Sequence, residues 1–176
     1  MTSRAEVGEE GGYDRLGELY TRHISDARRF AYLLCGDERA SADIAQDAFV
    51  RVASRLGALR NADAFPAYLR VTVRNLVRMQ ARASARETDR LLRHERMTLN
   101  AEGQAQDQLT QWDDLWLALA GLPERQRAAL VCRFYLDLSE RETARVLSCR
   151  PGTVKSLVSR GLATMRENRS LDESDG

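Results

Sequence analysis

The sequence predicts an all-α fold of two small helical domains joined by a flexible linker. Apolar residues recur three and four positions apart in two separate blocks, the chain has only three prolines in 176 residues, and the stretch between the blocks is polar. Aromatic residues make up 6% of the chain, so the core is predicted to be mostly Leu, Val and Ala. The predicted segments are a disordered N-terminus (1–12), a first domain (13–82), a linker (83–110), a second domain (111–168) and a disordered acidic tail (169–176).

The first block is predicted to form three helices. Apolar residues at helical spacing run through Leu16–Leu34, and Gly36 ends this helix. A second helix follows Ser41, which is predicted to cap it, and a third opens near Pro66, because a proline fits the first turn of a helix. Residues 57–63, between the second and third helices, are predicted to form a loop.

The second block carries a helix-turn-helix pattern. Ser139 and Glu142 have the spacing of a capping box at the start of a short helix, and Pro151 begins another helix after a turn. Six residues share the inward face of that last helix: Val154, Leu157, Val158, Gly161, Leu162 and Met165. Its other face is polar, and no acidic residue occurs over positions 143–166, which suits a DNA groove lined by phosphates. Lys155, the only lysine, is therefore interpreted as a phosphate or base contact; the alternative is a solvated lysine on an ordinary amphipathic helix.

A regular repeat of arginines follows in the third helix of the first block. The repeat has a spacing of four and consists of Arg70, Arg74, Arg78, Arg82, Arg86 and Arg90. No acidic residue lies between Asp63 and Glu87, so the repeat predicts a basic stripe for a phosphate backbone. Tyr68 and Asn75 lie among the arginines and can stack on or bond to unpaired bases. The alternative is a solvated basic face.

The second helix of the first block has a different exposed face. Asp43, Gln46, Asp47 and Arg51 are spaced to share one side of this helix, opposite its apolar residues. The spacing alone favours a solvated surface over a protein-binding one.

Composition excludes several classes of function. The spacing of Cys35, Cys132 and Cys149 fits neither a zinc motif nor a disulfide framework, and the chain has only two histidines. We find no Gly-rich phosphate loop and no convincing pair of nucleophile and base, so the sequence predicts no catalytic site, metal or cofactor. With no signal peptide and no long apolar run, we expect a soluble cytoplasmic protein with free thiols. A net charge of +1 means that any nucleic-acid binding must rest on local patches.

Three segments carry a family resemblance: ADIAQDAFVRV, DAFPAYLRVTVRNLVR and LPERQRAALVCRFYLDLSERETARVLSCRPGTVKSLVSRGLATMR. In this order they resemble region 2.2, regions 2.3 to 2.4 and region 4 of the extracytoplasmic-function sigma factors of bacterial RNA polymerase, and in particular their actinobacterial SigE-like family. The resemblance covers about Arg15 to Arg166 in two blocks separated by a variable linker. That order and extent are more specific than a lone helix-turn-helix.

The resemblance implies a division of labour between the blocks. The first would be the σ2 domain, and its surface for the clamp helices of the polymerase β′ subunit would consist of Asp43, Gln46, Asp47 and Arg51. The contacts with the melted −10 strand would be Asn61, Tyr68, Arg70, Arg74, Asn75 and Arg78. The second block would be the σ4 domain, and its −35 contacts would be Arg150, Thr153, Lys155, Ser156, Ser159 and Arg160. The implied partners are core polymerase, through β′ and β, and promoter DNA, with an anti-sigma factor as a further candidate and no membrane partner.

Two departures from the family pattern fall in the turn of the helix-turn-helix. Ser148 stands where the family usually has glycine, which predicts a strained backbone, and Arg150-Pro151 replaces a commoner small and apolar pair. A second hypothesis is a stand-alone helix-turn-helix regulator whose first block serves for dimerisation or sensing. The arginine repeat and the acidic helix argue against it, because a dimerisation domain needs no stripe for single-stranded DNA.

Overall fold

The structure, a computed structural model, describes residues 6–55, 62–94 and 111–172. Within those ranges all regular structure is helical, which confirms the predicted fold class. The helices are α1 (Glu6–Cys35), α2 (Glu38–Ala53), α3 (Phe65–His94), α4 (Gln111–Ala120), α5 (Glu124–Leu130), α6 (Glu140–Leu147) and α7 (Pro151–Asp172). A 3₁₀ turn (Ala62–Ala64) precedes α3, and a π-helical segment (Val131–Tyr135) continues α5.

Helices α1 to α3 form the first domain around aromatic and aliphatic side chains. Phe30 and Phe65 are almost completely buried, and the rings of Phe49 and Phe65 meet edge to face with centroids 5.5 Å apart. The inward residues predicted for α3 are buried as expected: Leu69, Val73, Leu76 and Val77. The apolar repeat therefore predicts both the helices and the side on which they pack.

The start of α2 differs from the prediction. Asp37, not Ser41, is the N-cap, and its carboxylate accepts a hydrogen bond from the Ala40 amide at 2.8 Å. Ser41 is fully buried inside the helix, where its hydroxyl donates to the Glu38 carbonyl at 2.7 Å. Both residues are of a capping type, but Asp37 directly follows Gly36, which ends α1, and this leaves α2 a whole turn longer.

Three helix ends also extend beyond the predicted boundaries. Helix α1 begins at Glu6, inside the segment predicted to be disordered. Helix α3 runs to His94, into the predicted linker, because no glycine or proline interrupts it after Pro66. Helix α7 likewise continues to Asp172, past the predicted domain end. Most of the predicted 57–63 loop lies outside the described residues.

Helices α4 to α7 form the second domain, whose core is aliphatic. Leu130, Val131, Leu147 and Val154 are each at most 3% exposed. A Cβ at Gly161 would lie 2.9 Å from Leu130 Cδ1, so the glycine allows α7 to lie close against α5. This close contact supports the last helix and fixes which of its faces is presented to solvent.

The two domains lie against each other. Helix α4 contacts α1, and α6 contacts α3. Within the described part of the chain, no helix combines the length and apolar character needed to cross a membrane.

Candidate nucleic-acid and protein interfaces

A tight turn joins α6 to α7. Ser148 has φ 50° and ψ 52°, in the left-handed region, which confirms the strained backbone predicted at this position. The Cys149 amide donates to the Ala144 carbonyl at 2.9 Å and the Ser148 amide to the Arg145 carbonyl at 3.2 Å. These two bonds form a Schellman motif, in which glycine is the usual left-handed residue. The turn therefore has the expected geometry with a serine in the place of a glycine.

The start of α6 is fixed by the predicted capping box. The Glu142 amide donates to Ser139 Oγ at 3.2 Å, and the Ser139 amide donates to Glu142 Oε2 at 2.8 Å. The side-chain and backbone hydrogen bonds from Ser139 lower the pKa of Glu142, because they favour its charged form. Substituting such a cap typically costs about 1 kcal/mol. The capping box thus holds the first helix of the pair in the register that positions the turn and α7.

The structure brings the six predicted −35 residues to one surface around the start of α7. Arg150, Lys155, Ser156, Ser159 and Arg160 are exposed, and Thr153 is half-buried at their edge. Val154 and Leu157 on the opposite side are buried, so the two faces are separated as the repeat predicts. The resulting surface offers hydroxyls and cations and has the chemistry to contact phosphates and base edges.

Hydrogen bonds and one long ion pair order this surface. Ser156 Oγ donates to the Gly152 carbonyl at 3.2 Å, and Arg160 Nε donates to the Ser156 carbonyl at 3.2 Å. Lys155 Nζ lies 3.8 Å from Glu140 Oε2, and the lysine side chain is 69% exposed. An exposed pair at this distance contributes little, so Lys155 is free to exchange Glu140 for a phosphate.

Two further cations lie beside the turn, and the sequence analysis missed them. Arg141 and Arg145 are exposed on α6 and line a shallow depression together with Ser148 and Cys149. They extend the basic surface from α7 onto the preceding helix. Their spacing of four along a short capped helix is the signal that could have indicated them.

The arginines of α3 do not form the single stripe that was predicted. A step of four residues turns by about 40° around a helix, so the repeat rotates by roughly 160° from Arg70 to Arg86. Arg70 and Arg78 are half-buried and the two later members at 82 and 86 are exposed, as this rotation requires, whereas Arg74 is buried because residues of the second domain lie against it. The prediction underestimated this cumulative rotation.

Arg74 departs furthest from its predicted role as an exposed contact. The residue is only 4% exposed, and its Nε has no hydrogen-bond partner among the described residues. Burial, reinforced by nearby Arg78, lowers the pKa of its guanidinium. In this arrangement Arg74 cannot reach DNA.

A different set of α3 residues shares an exposed face. Tyr68, Asn75 and Met79 are separated by seven and four residues, which places them within about 40° of one another. Tyr68 is 53% exposed and Met79 is 60% exposed. The side-chain oxygen of Asn75 accepts a hydrogen bond from Arg74 Nη1 at 3.4 Å. An aromatic ring, an amide and a thioether side by side suit unstacked bases better than a phosphate backbone. Asn61, also predicted to contact the −10 strand, lies outside the described residues.

The polar face predicted on α2 is exposed as a unit. Asp43, Gln46, Asp47 and Arg51 all face solvent. Arg51 Nε lies 2.6 Å from Asp47 Oδ1, and this hydrogen bond raises the pKa of Arg51. Val50, which the sequence analysis did not single out, is 64% exposed between them. Charged groups on such a face can pair with opposite charges of a protein partner, and the exposed valine adds an apolar contact.

The Cys132 thiol is a poor candidate for metal binding or nucleophilic chemistry. Burial raises the pKa of Cys132 to about 12, so this side chain stays protonated. Within 6–55, 62–94 and 111–172, no group of three or more His, Cys, Asp or Glu residues could hold a metal ion.

Comparisons with known proteins match both domains. The family model for sigma-70 region 2 matches residues 19–87, and the model for sigma-70 region 4 matches residues 112–165. The chain is 28% identical over 147 residues to the ECF RNA polymerase sigma factor EcfG of Rhodopseudomonas palustris, covering 84% of this chain and 81% of that protein. It is 27% identical over 173 residues to the ECF RNA polymerase sigma factor SigE of Mycolicibacterium smegmatis, covering 96% and 67%.

A solved structure has the same architecture. The sigma factor RpoE of Bartonella quintana, solved in complex with the anti-sigma factor NepR, aligns with a TM-score of 0.70 at 25% identity. The alignment covers 90% of this chain and 98% of the RpoE chain, so it includes both domains.

Proposed function

Because the chain belongs to the extracytoplasmic-function sigma factors of the sigma-70 family, it directs core RNA polymerase to promoters, and we propose that its described surfaces divide this task as follows. The α2 face binds polymerase, the exposed face of α3 holds the melted −10 strand, and α7 reads the −35 element. The chain itself supplies recognition, and polymerase performs the chemistry.

The single observation that carries the −35 assignment is the surface at the start of α7. The first helix is capped, a Schellman turn follows it, and the second helix buries its aliphatic side. This arrangement presents five exposed polar residues, and α7 has no acidic residue over positions 151–166. A recognition helix enters the major groove with its N-terminal residues on base edges. Lys155 and Arg150 are placed for phosphates at the groove edge, while Ser156, Ser159 and Arg160 face the bases.

The −10 assignment rests on the mixed chemistry of α3. Tyr68 and Met79 offer apolar contacts to bases taken out of the stack, and Asn75 lies between them with hydrogen-bonding groups. Arg78, Arg82 and Arg86 turn stepwise from the edge of this face onto it, and they neutralise the strand's phosphates. Arg70 and Arg74 join them only when the second domain is not covering this part of α3.

The polymerase assignment rests on the exposed α2 face. The carboxylates of Asp43 and Asp47, the Gln46 amide and the Val50 side chain lie together on this face. Arg51 forms its ion pair with Asp47 and not with Asp43. Complementary charge on the partner would steer the encounter and fix the register of the complex. An anti-sigma factor is a further proposed partner, since the similar RpoE is solved in complex with one.

Co-elution with core polymerase in size-exclusion chromatography tests this proposal against a stand-alone regulator. A sigma factor co-elutes with core polymerase in the absence of DNA, and the complex then retards promoter DNA. A stand-alone regulator would retard the DNA by itself and elute separately from polymerase. The second result would refute the proposed function.

A further inference from the structure

An acidic residue lies at the edge of the basic surface around the start of α7. Glu140 is the first residue of α6, and its side chain is 40% exposed. Its Oε2 lies 3.8 Å from the Nζ of Lys155, which belongs to the next helix. Helix α6 has two acidic residues, and Glu142, the other one, is engaged by the Ser139 cap. The carboxylate that α6 brings to the surface of α7 is therefore that of Glu140.

Local structure fixes both ends of this contact. The capping box sets the first residue of α6, and the Schellman turn at Ser148 determines how α7 continues from it. Helices α6 and α7 also pack against each other. The fold of the helix-turn-helix therefore brings Glu140 and Lys155 together, although they lie fifteen positions apart in the sequence.

The contact affects what Lys155 offers to DNA. A lysine that binds a phosphate releases condensed counterions from the DNA, and this release drives sequence-independent affinity. To bind a phosphate, Lys155 has to leave Glu140 and give up their attraction. Exposed ion pairs alter an equilibrium constant by roughly 1.4- to 5-fold, and by less at high salt because the charges are screened. A penalty of that size is small but measurable in DNA binding.

We propose that Glu140 is a positioning residue: it holds the Lys155 ammonium group beside α6 in the free chain and so lowers the affinity of the α7 surface for DNA phosphates. This role rests on the proposed reading of the −35 element by α7. Because Glu140 acts through a phosphate contact, and such contacts carry no sequence information, its effect is the same for every −35 sequence. A carboxylate that instead accepted a hydrogen bond from a cytosine amino group would act at one base pair.

NMR spectroscopy of the free full-length chain tests the ion pair without reference to any promoter. Lys155 is the only lysine, so selective isotopic labelling of lysine gives one Cε signal, next to the ammonium group. Glu140→Gln should shift this signal, because it removes the facing charge with little change in shape. Glu18→Gln is the matched control, since it removes the same charge from an exposed position on α1. An unchanged Lys155 signal in Glu140→Gln, or an equal shift in the control, would overturn the pairing.

A double-mutant cycle on DNA tests whether Glu140 acts through Lys155. Fluorescence anisotropy of the polymerase complex on duplexes with different −35 sequences gives the affinities. At low salt, Glu140→Gln should strengthen binding to every duplex by roughly 1.4- to 5-fold, and the gain should become smaller at higher salt. In the Lys155→Ala background, the same substitution should leave the affinity unchanged.

The contradicting results of this cycle can be told apart. An equal gain with and without Lys155 would mean that Glu140 repels DNA directly, and a change at one base pair would mean that it contacts a base; either result overturns the proposal. No gain for Glu140→Gln, in a chain whose affinity does depend on Lys155, would overturn only the role of Glu140. A Lys155→Ala variant that binds every duplex as tightly as wild type would also overturn the phosphate contact of Lys155, and with it that part of the proposed function.

Discussion

Replacing Lys155 with alanine should weaken DNA binding by a similar factor for every −35 sequence. This loss of affinity should become smaller as the salt concentration rises. Lys155 lies near the start of α7, is 69% exposed and has only a 3.8 Å contact with Glu140 to give up. One lost phosphate contact on duplex DNA reduces the log–log salt slope by about 0.9. Between 50 and 200 mM salt, the penalty of the substitution should therefore fall by about 3.5-fold.

Arg160→Ala should have the opposite signature. Arg160 is exposed on the face of α7 that we propose to read the groove, and its Nε donates to the Ser156 carbonyl at 3.2 Å, which leaves the terminal nitrogens for a base edge. Loss of a base contact costs about 1–3 kcal/mol, or roughly 5- to 160-fold in affinity, at one base pair and little elsewhere. The preference at that base pair should relax.

Fluorescence anisotropy of the polymerase complex on a library of −35 duplexes, at both salt concentrations, measures these effects. Arg22→Ala removes the same charge from an exposed position on α1, away from the α2 face proposed to bind polymerase, and serves as the matched control. A sequence-specific, salt-independent loss for Lys155→Ala would refute the phosphate assignment. A uniform loss for Arg160→Ala would refute the base assignment.

Four further outcomes are expected. Substituting both Asp43 and Asp47 with lysine should weaken core polymerase binding by at least about tenfold while the helical content stays unchanged. Undiminished affinity would contradict the proposed α2 interface. Asn75→Ala should reduce permanganate reactivity of the −10 strand but not polymerase binding, whereas normal reactivity would remove its role in melting. Ser148→Gly should relieve about 1–2 kcal/mol of strain and raise the Tm by about 2–8 °C in differential scanning fluorimetry; a lower Tm would contradict the strain. Because its cap bonds lower the pKa of Glu142, the stability that Glu142 provides is present above the ordinary carboxyl pKa and is lost as pH falls through the lowered one. Glu142→Gln should therefore flatten the acid limb of a stability–pH curve, and an unchanged limb would argue against the capping bond.

Periodicity predicted the elements that depend on local chemistry. The apolar repeat of α7 and the capping box of α6 required only residues close in sequence, and both have the predicted form. The start of α2 was harder, because Asp37 and Ser41 are both good caps and the choice depends on where α1 ends. Local patterns therefore predict the presence of a helix more reliably than the residue at which the helix begins.

Tertiary contacts account for what the sequence analysis missed. Arg74 belongs to a regular repeat, and nothing in the repeat shows that the second domain covers it. Trp112 and Trp116 have the spacing of core residues of their own domain, yet they also contact α1 through Arg29 and Gly36. Such contacts join residues about eighty positions apart, and no pattern within one helix encodes them.

Run-off transcription with purified core polymerase and a library of promoters tests the central claim most directly. With the full-length chain added, we expect defined transcripts from templates that share one −35 and one −10 sequence, and core polymerase alone should give none. The Lys155→Ala and Asn75→Ala variants should lower the yield of the same transcripts. Failure of the wild-type chain to produce any promoter-specific transcript with a compatible core polymerase would contradict the account.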